Sequence, residues 1–119
     1  MYAEDVRRKL RVLSKKYTME ILSSLFKGGK KYVSQLGDEL GIPYATVQQR
    51  INELEMAGFV KSSETLHLVS RRPIKEVELS NFQIVISPRT IPQLVAGEPS
   101  EEGFRIGVGR KKEDTKEPD

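Results

Sequence analysis

The side chains with chemistry to offer fall in two short stretches. The first is Tyr44-Ala45-Thr46-Val47-Gln48-Gln49-Arg50, whose polar members are uncharged except for Arg50. A Gln amide can make paired hydrogen bonds to N6 and N7 of an adenine. An Ala admits close approach to a thymine methyl, and hydroxyls such as those of Tyr44 and Thr46 reach phosphate oxygens. The second stretch is Arg71-Arg72-Pro73, two guanidinium groups ahead of a residue that stiffens the backbone. On a turn, such a pair clamps phosphate or enters a minor groove. Ser34, Lys30, Lys31 and Lys75 complete the candidate set, with Arg7, Arg8, Lys15 and Lys16 as flanking cations. The cations would act through sequence-independent, salt-sensitive attraction. Taken singly, each of these residues is ordinary solvated surface, so the weight rests on the order of the parts.

Other chemistries lack their residues. The chain has no Cys, hence no disulfide, thiolate metal site or Cys nucleophile, and its one His, His67, cannot form a metal cluster. His67 lies in an apolar run and reads as a strand-face residue. No nucleophile, base and oxyanion donor converge, so no enzyme and no cofactor are expected. The glycines of 103–109 have no strand before them and no helix after, and fail as a phosphate loop. No apolar run approaches the roughly 20 residues that cross a bilayer, and the N-terminus does not read as a secretory signal. A cytoplasmic, nucleoid-associated location follows as an expectation.

The 119 residues suit one domain. The net charge of +3 conceals an asymmetry: residues 1–32 carry nine Lys/Arg against three Asp/Glu, whereas 33–64 carry two against five. Residues 65–95 are again basic, with four against two. A basic face favours a polyanion.

Several elements must position these groups. Tyr2, Val6, Leu10, Leu13 and Tyr17 form one stripe of an amphipathic helix, with Arg7, Arg8, Lys9 and Arg11 on its other faces. Thr18 is placed to cap a second helix that buries Ile21, Leu22, Leu25 and Phe26 and ends at Gly28-Gly29. A small strand at 31–33 precedes a short helix capped by Ser34, which buries Leu36 and Leu40. Gly41-Ile42-Pro43 turns the chain into a helix over 43–57, with Val47, Ile51 and Leu54 inward. At about 100° per residue, Ala45, Gln49 and Asn52 then point outward. Alternation at 59–63 and around Ile74, Val77 and Leu79 gives a hairpin with Arg71 and Arg72 at its tip, and Phe82, Ile84 and Ile86 suggest an extra strand. From residue 96 the Gly, Pro, Glu and Lys content predicts a flexible tail, so the division is a domain over 1–95 and a tail over 96–119.

The expected fold is therefore α+β, mainly α: a winged helix-turn-helix of four helices and a β-hairpin wing. At this point the sequence resembles the ArsR-like and MarR-like winged-helix transcriptional regulators, especially small archaeal members. The resemblance spans about residues 5–88. It rests on Tyr17-Thr18, Leu22-Ser23-Ser24-Leu25, Ser34-Gln35-Leu36, Leu40-Gly41-Ile42, Ala45-Thr46-Val47-Gln48, Gly58-Phe59-Val60 and Arg72-Pro73-Ile74-Lys75. It implies a homodimer on double-stranded DNA, with paired recognition helices on a pseudo-palindromic site. The metal-sensing branch uses Cys, His and carboxylates on its helices, and the absence of Cys sets this chain apart from it. The expected function is a sequence-specific dimeric repressor, with helix 43–57 in the major groove and the 66–75 loop on the flanking backbone. The first helix and residues 82–95 would form the dimer interface. Two alternatives stand beside it: an architectural protein coating DNA with low specificity, and a winged helix adapted to protein docking.

Overall fold

In the computed structural model, residues 2–96 are described. Five helices and a three-stranded antiparallel sheet follow the order α1 (Tyr2–Leu13), α2 (Thr18–Gly28), β1 (Lys31–Tyr32), α3 (Val33–Leu40), α4 (Tyr44–Met56), β2 (Val60–Leu66), β3 (Pro73–Leu79) and α5 (Ile91–Ala96). The sheet order is β1-β3-β2, so the returning strand of the hairpin lies in the middle. This is the winged helix-turn-helix architecture, α+β and mainly helical. Of the tail expected over 96–119, Ala96 is instead the last residue of α5, and the rest lies outside the described residues.

The main core gathers apolar residues of α1 to α4 against the inner face of the sheet: Val12, Ile21, Leu22, Leu25, Val33, Leu36, Ile42, Val47, Ile51, Leu54, Phe59, Val60 and Val77. Phe59 is fully buried just ahead of β2 and meets Phe82 edge-on, with ring centroids 4.6 Å apart. Phe26 departs from expectation. It is 78% exposed, because it falls just past the buried stripe of α2, on the same outer flank as exposed Met19.

The junction of α1 and α2 also differs from the sequence reading. The first helix stops at Leu13, so Tyr17 lies beyond it, in a left-handed conformation with φ 77°. Thr18 does not cap the start of α2. It is fully buried, and its hydroxyl lies 2.9–3.1 Å from the carbonyls of Val12, Leu13 and Lys15. Val12 and Leu13 belong to the last turn of α1, whose carbonyls lack intrahelical partners, so Thr18 closes the end of α1 instead.

Lys9, expected on an outer face, is buried. Its ammonium donates to the carbonyl of Ala57 and lies 5.2 Å from the centroid of the Phe59 ring. A cation at the carbonyl end of a helix meets the negative pole of its dipole, and the ring face adds attraction. Lys9 thus pins α1 to the C-terminal end of α4.

Two glycines set the α3–α4 crossing. A Cβ on Gly37 would stand 3.0 Å from the carbonyl oxygen of Ile42 and 3.7 Å from Val47 Cγ2, so only a bare backbone lets the helices approach. Gly41 takes φ 68°, the left-handed turn that ends α3. The start of α3 is closed by Gln35, whose amide oxygen accepts from the Tyr32 backbone N–H at 2.9 Å. Ser34, expected to cap that helix, lies exposed inside its first turn. Pro43 precedes α4, and its carbonyl accepts from the N–H groups of Thr46 and Val47.

Between β3 and α5 the chain forms no extended strand, only an isolated bridge at Ile84. Phe82 and Ile84 are used instead as partly buried plugs on the main core. Residues 91–96, without a predicted element, form α5. It docks on α1, where Val6 and Leu94 make a second small cluster with Leu10 and Ile84.

Candidate nucleic-acid interface

Helix α4 presents two sides. Val47, Ile51 and Leu54 are fully buried, while Tyr44, Ala45, Gln49 and Asn52 are exposed and Thr46 and Gln48 lie at the margin. The period of the apolar residues dictates this division.

The outer side carries a continuous polar row. The Tyr44 hydroxyl donates to Gln48 Oε1 at 3.3 Å, and Gln48 Nε2 donates to Asn52 Oδ1 at 3.3 Å. Each step spans one helical turn, as expected of i, i+4 neighbours. The row then leaves the helix: Lys75 Nζ, on β3, donates to the same Asn52 oxygen at 3.2 Å. A second tie, from Ser62 Oγ on β2 to Glu55 Oε1, is 2.8 Å long. Ser62 pairs with Val77 and Glu64 with Lys75, so these tying residues share one face of the hairpin. That face is the one laid against α4. The wing and the exposed side of α4 therefore adjoin, with Asn52 at the seam.

The hairpin projects beyond this seam. Residues 67–72 form its tip, and all are exposed. His67 is not a strand-face residue; it sits at the turn, where its Nδ1 accepts from the N–H groups of Val69 and Ser70 at 3.2 Å each. Its backbone closes the loop: His67 N donates to Arg72 O, and Arg71 N to His67 O, both at 2.9 Å. Arg71 adopts φ 60° to make that closure. A left-handed conformation costs a residue bearing Cβ about 1–2 kcal/mol, so the tip is held in a set shape. Pro73 opens β3, as expected of a residue that stiffens the base of the loop.

The remaining candidates divide by whether the subunit already uses them. Arg71, Arg72 and Lys30 are exposed, as are Arg7, Arg8 and Arg11 on α1. Arg50 is engaged within the fold: its Nε donates to the Lys16 carbonyl at 3.0 Å and its Nη1 pairs with Glu53 at 3.1 Å. Glu53 also takes Lys15 at 3.2 Å. This network fixes α4 to the turn between α1 and α2. Lys31 is engaged too, 2.6 Å from Glu39 Oε1 and 2.8 Å from Ser24 Oγ. The Ser24 hydroxyl in turn donates to Glu39 Oε2 at 2.8 Å. Hydrogen bonds from Lys31 and Ser24 hold the Glu39 carboxyl below its ordinary range. Lys75 sits between the two classes, tied to Asn52 yet on the wing.

Asn52 is the residue that the candidate set omitted. Its outward direction was legible from the helical period, but its role depends on Lys75, 23 residues away. Among the described residues no group of acidic or His side chains could hold a metal ion, and no helix is long and apolar enough to cross a membrane.

No curated protein matches the chain. Residues 19–62 match the family model of the bacterial regulatory proteins of the arsR family. The match runs from the second residue of α2 through the helix-turn-helix to the third residue of β2. Residues 19–62 are thus similar to the helix-turn-helix of the arsR-family regulatory proteins, and β3 completes the hairpin beside α4 that makes the fold a winged helix-turn-helix.

Proposed function

We propose that the protein is a sequence-specific dimeric repressor, acting in the cytoplasm on nucleoid DNA. The exposed side of α4 lies in the major groove, and the wing lies on the adjoining backbone and minor groove. The observation that carries this reading is the row Tyr44, Gln48, Asn52, Lys75, which makes the helix face and the wing one surface. Ala45 and Gln49 stand open on that surface for base edges, and Ser34, Tyr44 and Thr46 are placed for phosphates. Arg71, Arg72 and Lys30 supply phosphate contacts. Arg50, Lys31 and Lys75 act chiefly by holding the surface in shape, since their cationic groups already have partners.

A dimer is supported by geometry. One short helix reads few base pairs, and two half-sites one helical turn apart multiply the selectivity. The outer face of α5 leaves Ile91 and Val95 exposed, one turn apart, and Ile86 ahead of that helix is exposed too. A second copy covering that face would pair the α1–α5 layers, and repression follows from occupying a promoter.

The test is selection of bound sequences from random duplex DNA at near-physiological salt. A palindromic motif with half-sites about one helical turn apart is the expected result. Broad enrichment without a motif would favour the DNA-coating alternative, and no enrichment the docking module.

A further inference from the structure

The tip of the wing is apolar where solvent-facing turns are ordinarily polar. Leu68 is 88% exposed and Val69 83%, with Leu66 half-exposed beneath them. Arg71 and Arg72 follow at once, exposed on the same loop. The loop is also held in shape, since the His67 ring takes the N–H groups of Val69 and Ser70 and the His67 backbone closes on Arg71 and Arg72. An apolar pair on a preset loop, flanked by guanidinium groups, combines the two features by which proteins deform DNA through the minor groove. The cations suit its negative potential, and an apolar wedge separates stacked bases.

The reach of the hairpin is compatible. Lys75 is fixed to α4 at Asn52. From there the strand rises about 3.3 Å per residue, which carries the tip roughly 15 Å beyond the helix. Adjacent major and minor grooves are separated by about half a helical turn, roughly 17 Å. A helix seated in the major groove thus brings the tip over the neighbouring minor groove.

We infer that Leu68 and Val69 enter the minor groove beside the site read by α4 and wedge open a base step, so that the protein bends its DNA. This rests on the DNA-binding reading above and adds to it a deformation-based selectivity. Flexible pyrimidine–purine steps should be preferred at the wing position, where no base edge is hydrogen-bonded.

The experiment uses the full chain and a duplex recovered by the selection. Bend is measured by electrophoresis of circularly permuted fragments and by end-to-end energy transfer, for the native protein and for the double variant Leu68→Ser, Val69→Ser. The native complex should show a bend in the roughly 20–90° range of wedge-inserting proteins. The variant should bind the same duplex but lose most of that bend, and lose the preference for flexible steps. A straight native complex, or a bend that survives in the variant, overturns the wedge and leaves the DNA-binding reading standing. Failure of the native protein to bind any duplex overturns both.

Discussion

Gln49 and Arg71 separate the two kinds of contact that a single side chain can make here. Gln49 is exposed on the outer side of α4, and its amide has no hydrogen-bond partner among the described residues, so it is free to pair with a base. Gln49→Ala should therefore weaken binding to the selected duplex by about 1–3 kcal/mol. Binding to a scrambled duplex should stay unchanged, and titrating both duplexes at one salt concentration checks this. Arg71 carries a guanidinium on a left-handed backbone. Arg71→Gly and Arg71→Ala remove the same charge, but only Gly relieves the backbone. Both variants should lose the same DNA affinity, while the Gly variant should melt at the higher temperature of the two. Equal melting would place the closure of the wing tip elsewhere. Lys9 illustrates a third kind of residue, whose charge serves packing alone. Its ammonium meets the Ala57 carbonyl and the Phe59 ring in the interior. Lys9→Ala should destabilise the fold by about 1.5–3 kcal/mol, as read by denaturant unfolding, without altering the salt dependence of DNA binding.

At the scale of elements, the joint between α2, β1 and α3 is electrostatic. Glu39 accepts from Lys31 and Ser24, and those bonds hold its carboxyl below the ordinary glutamate range. The unfolded chain then takes up this proton at a higher pH than the folded one. The linked stability is present above the ordinary glutamate range and is lost as pH falls through the folded value. Glu39→Gln should be less stable than the native chain at neutral pH, and the gap should close in acid, which urea unfolding across a pH series will show. The same joint explains what was legible in the sequence. The helices, the tight turn at Gly41 and the hairpin follow from apolar period and glycine placement, because each is written within a few consecutive residues. The outward side of α4 followed from the same period. Long-range partners were not legible. Lys31 and Arg50 read as free cations because nothing local reveals that Glu39 and the Lys16 carbonyl will meet them. Lys9 and Thr18 were misassigned for the same reason: Lys9, read as an outer-face cation of α1, serves the end of α4, and Thr18, read as the cap of α2, serves the end of α1. The alternation at Phe82, Ile84 and Ile86 suggested a strand, yet docking onto the core accounts for the first two equally well.

The charge asymmetry becomes measurable at the scale of the whole molecule, because phosphate neutralisation is counted by salt. The logarithm of the affinity falls with the logarithm of salt concentration at about 0.9 per phosphate neutralised. Arg71 and Arg72 are exposed on one wing, so the double variant to Ala removes up to two such contacts per bound subunit. If one subunit occupies the duplex, the slope should become shallower by about 1.8; if two do, by about 3.6. The proposed dimer requires the larger change. It also requires that polar substitution of Ile91 and Val95, exposed on the outer face of α5, reduce the change to the smaller value. These residues lie on α5, and the wing tip is at the far end of the hairpin, so their substitution leaves the phosphate contacts of each subunit in place. Titrations of native, wing and α5 variants over a salt series thus count both the arginines on the backbone and the subunits that bring them there. A slope change near 1.8 in the native α5 background would mean that a single copy reads the site.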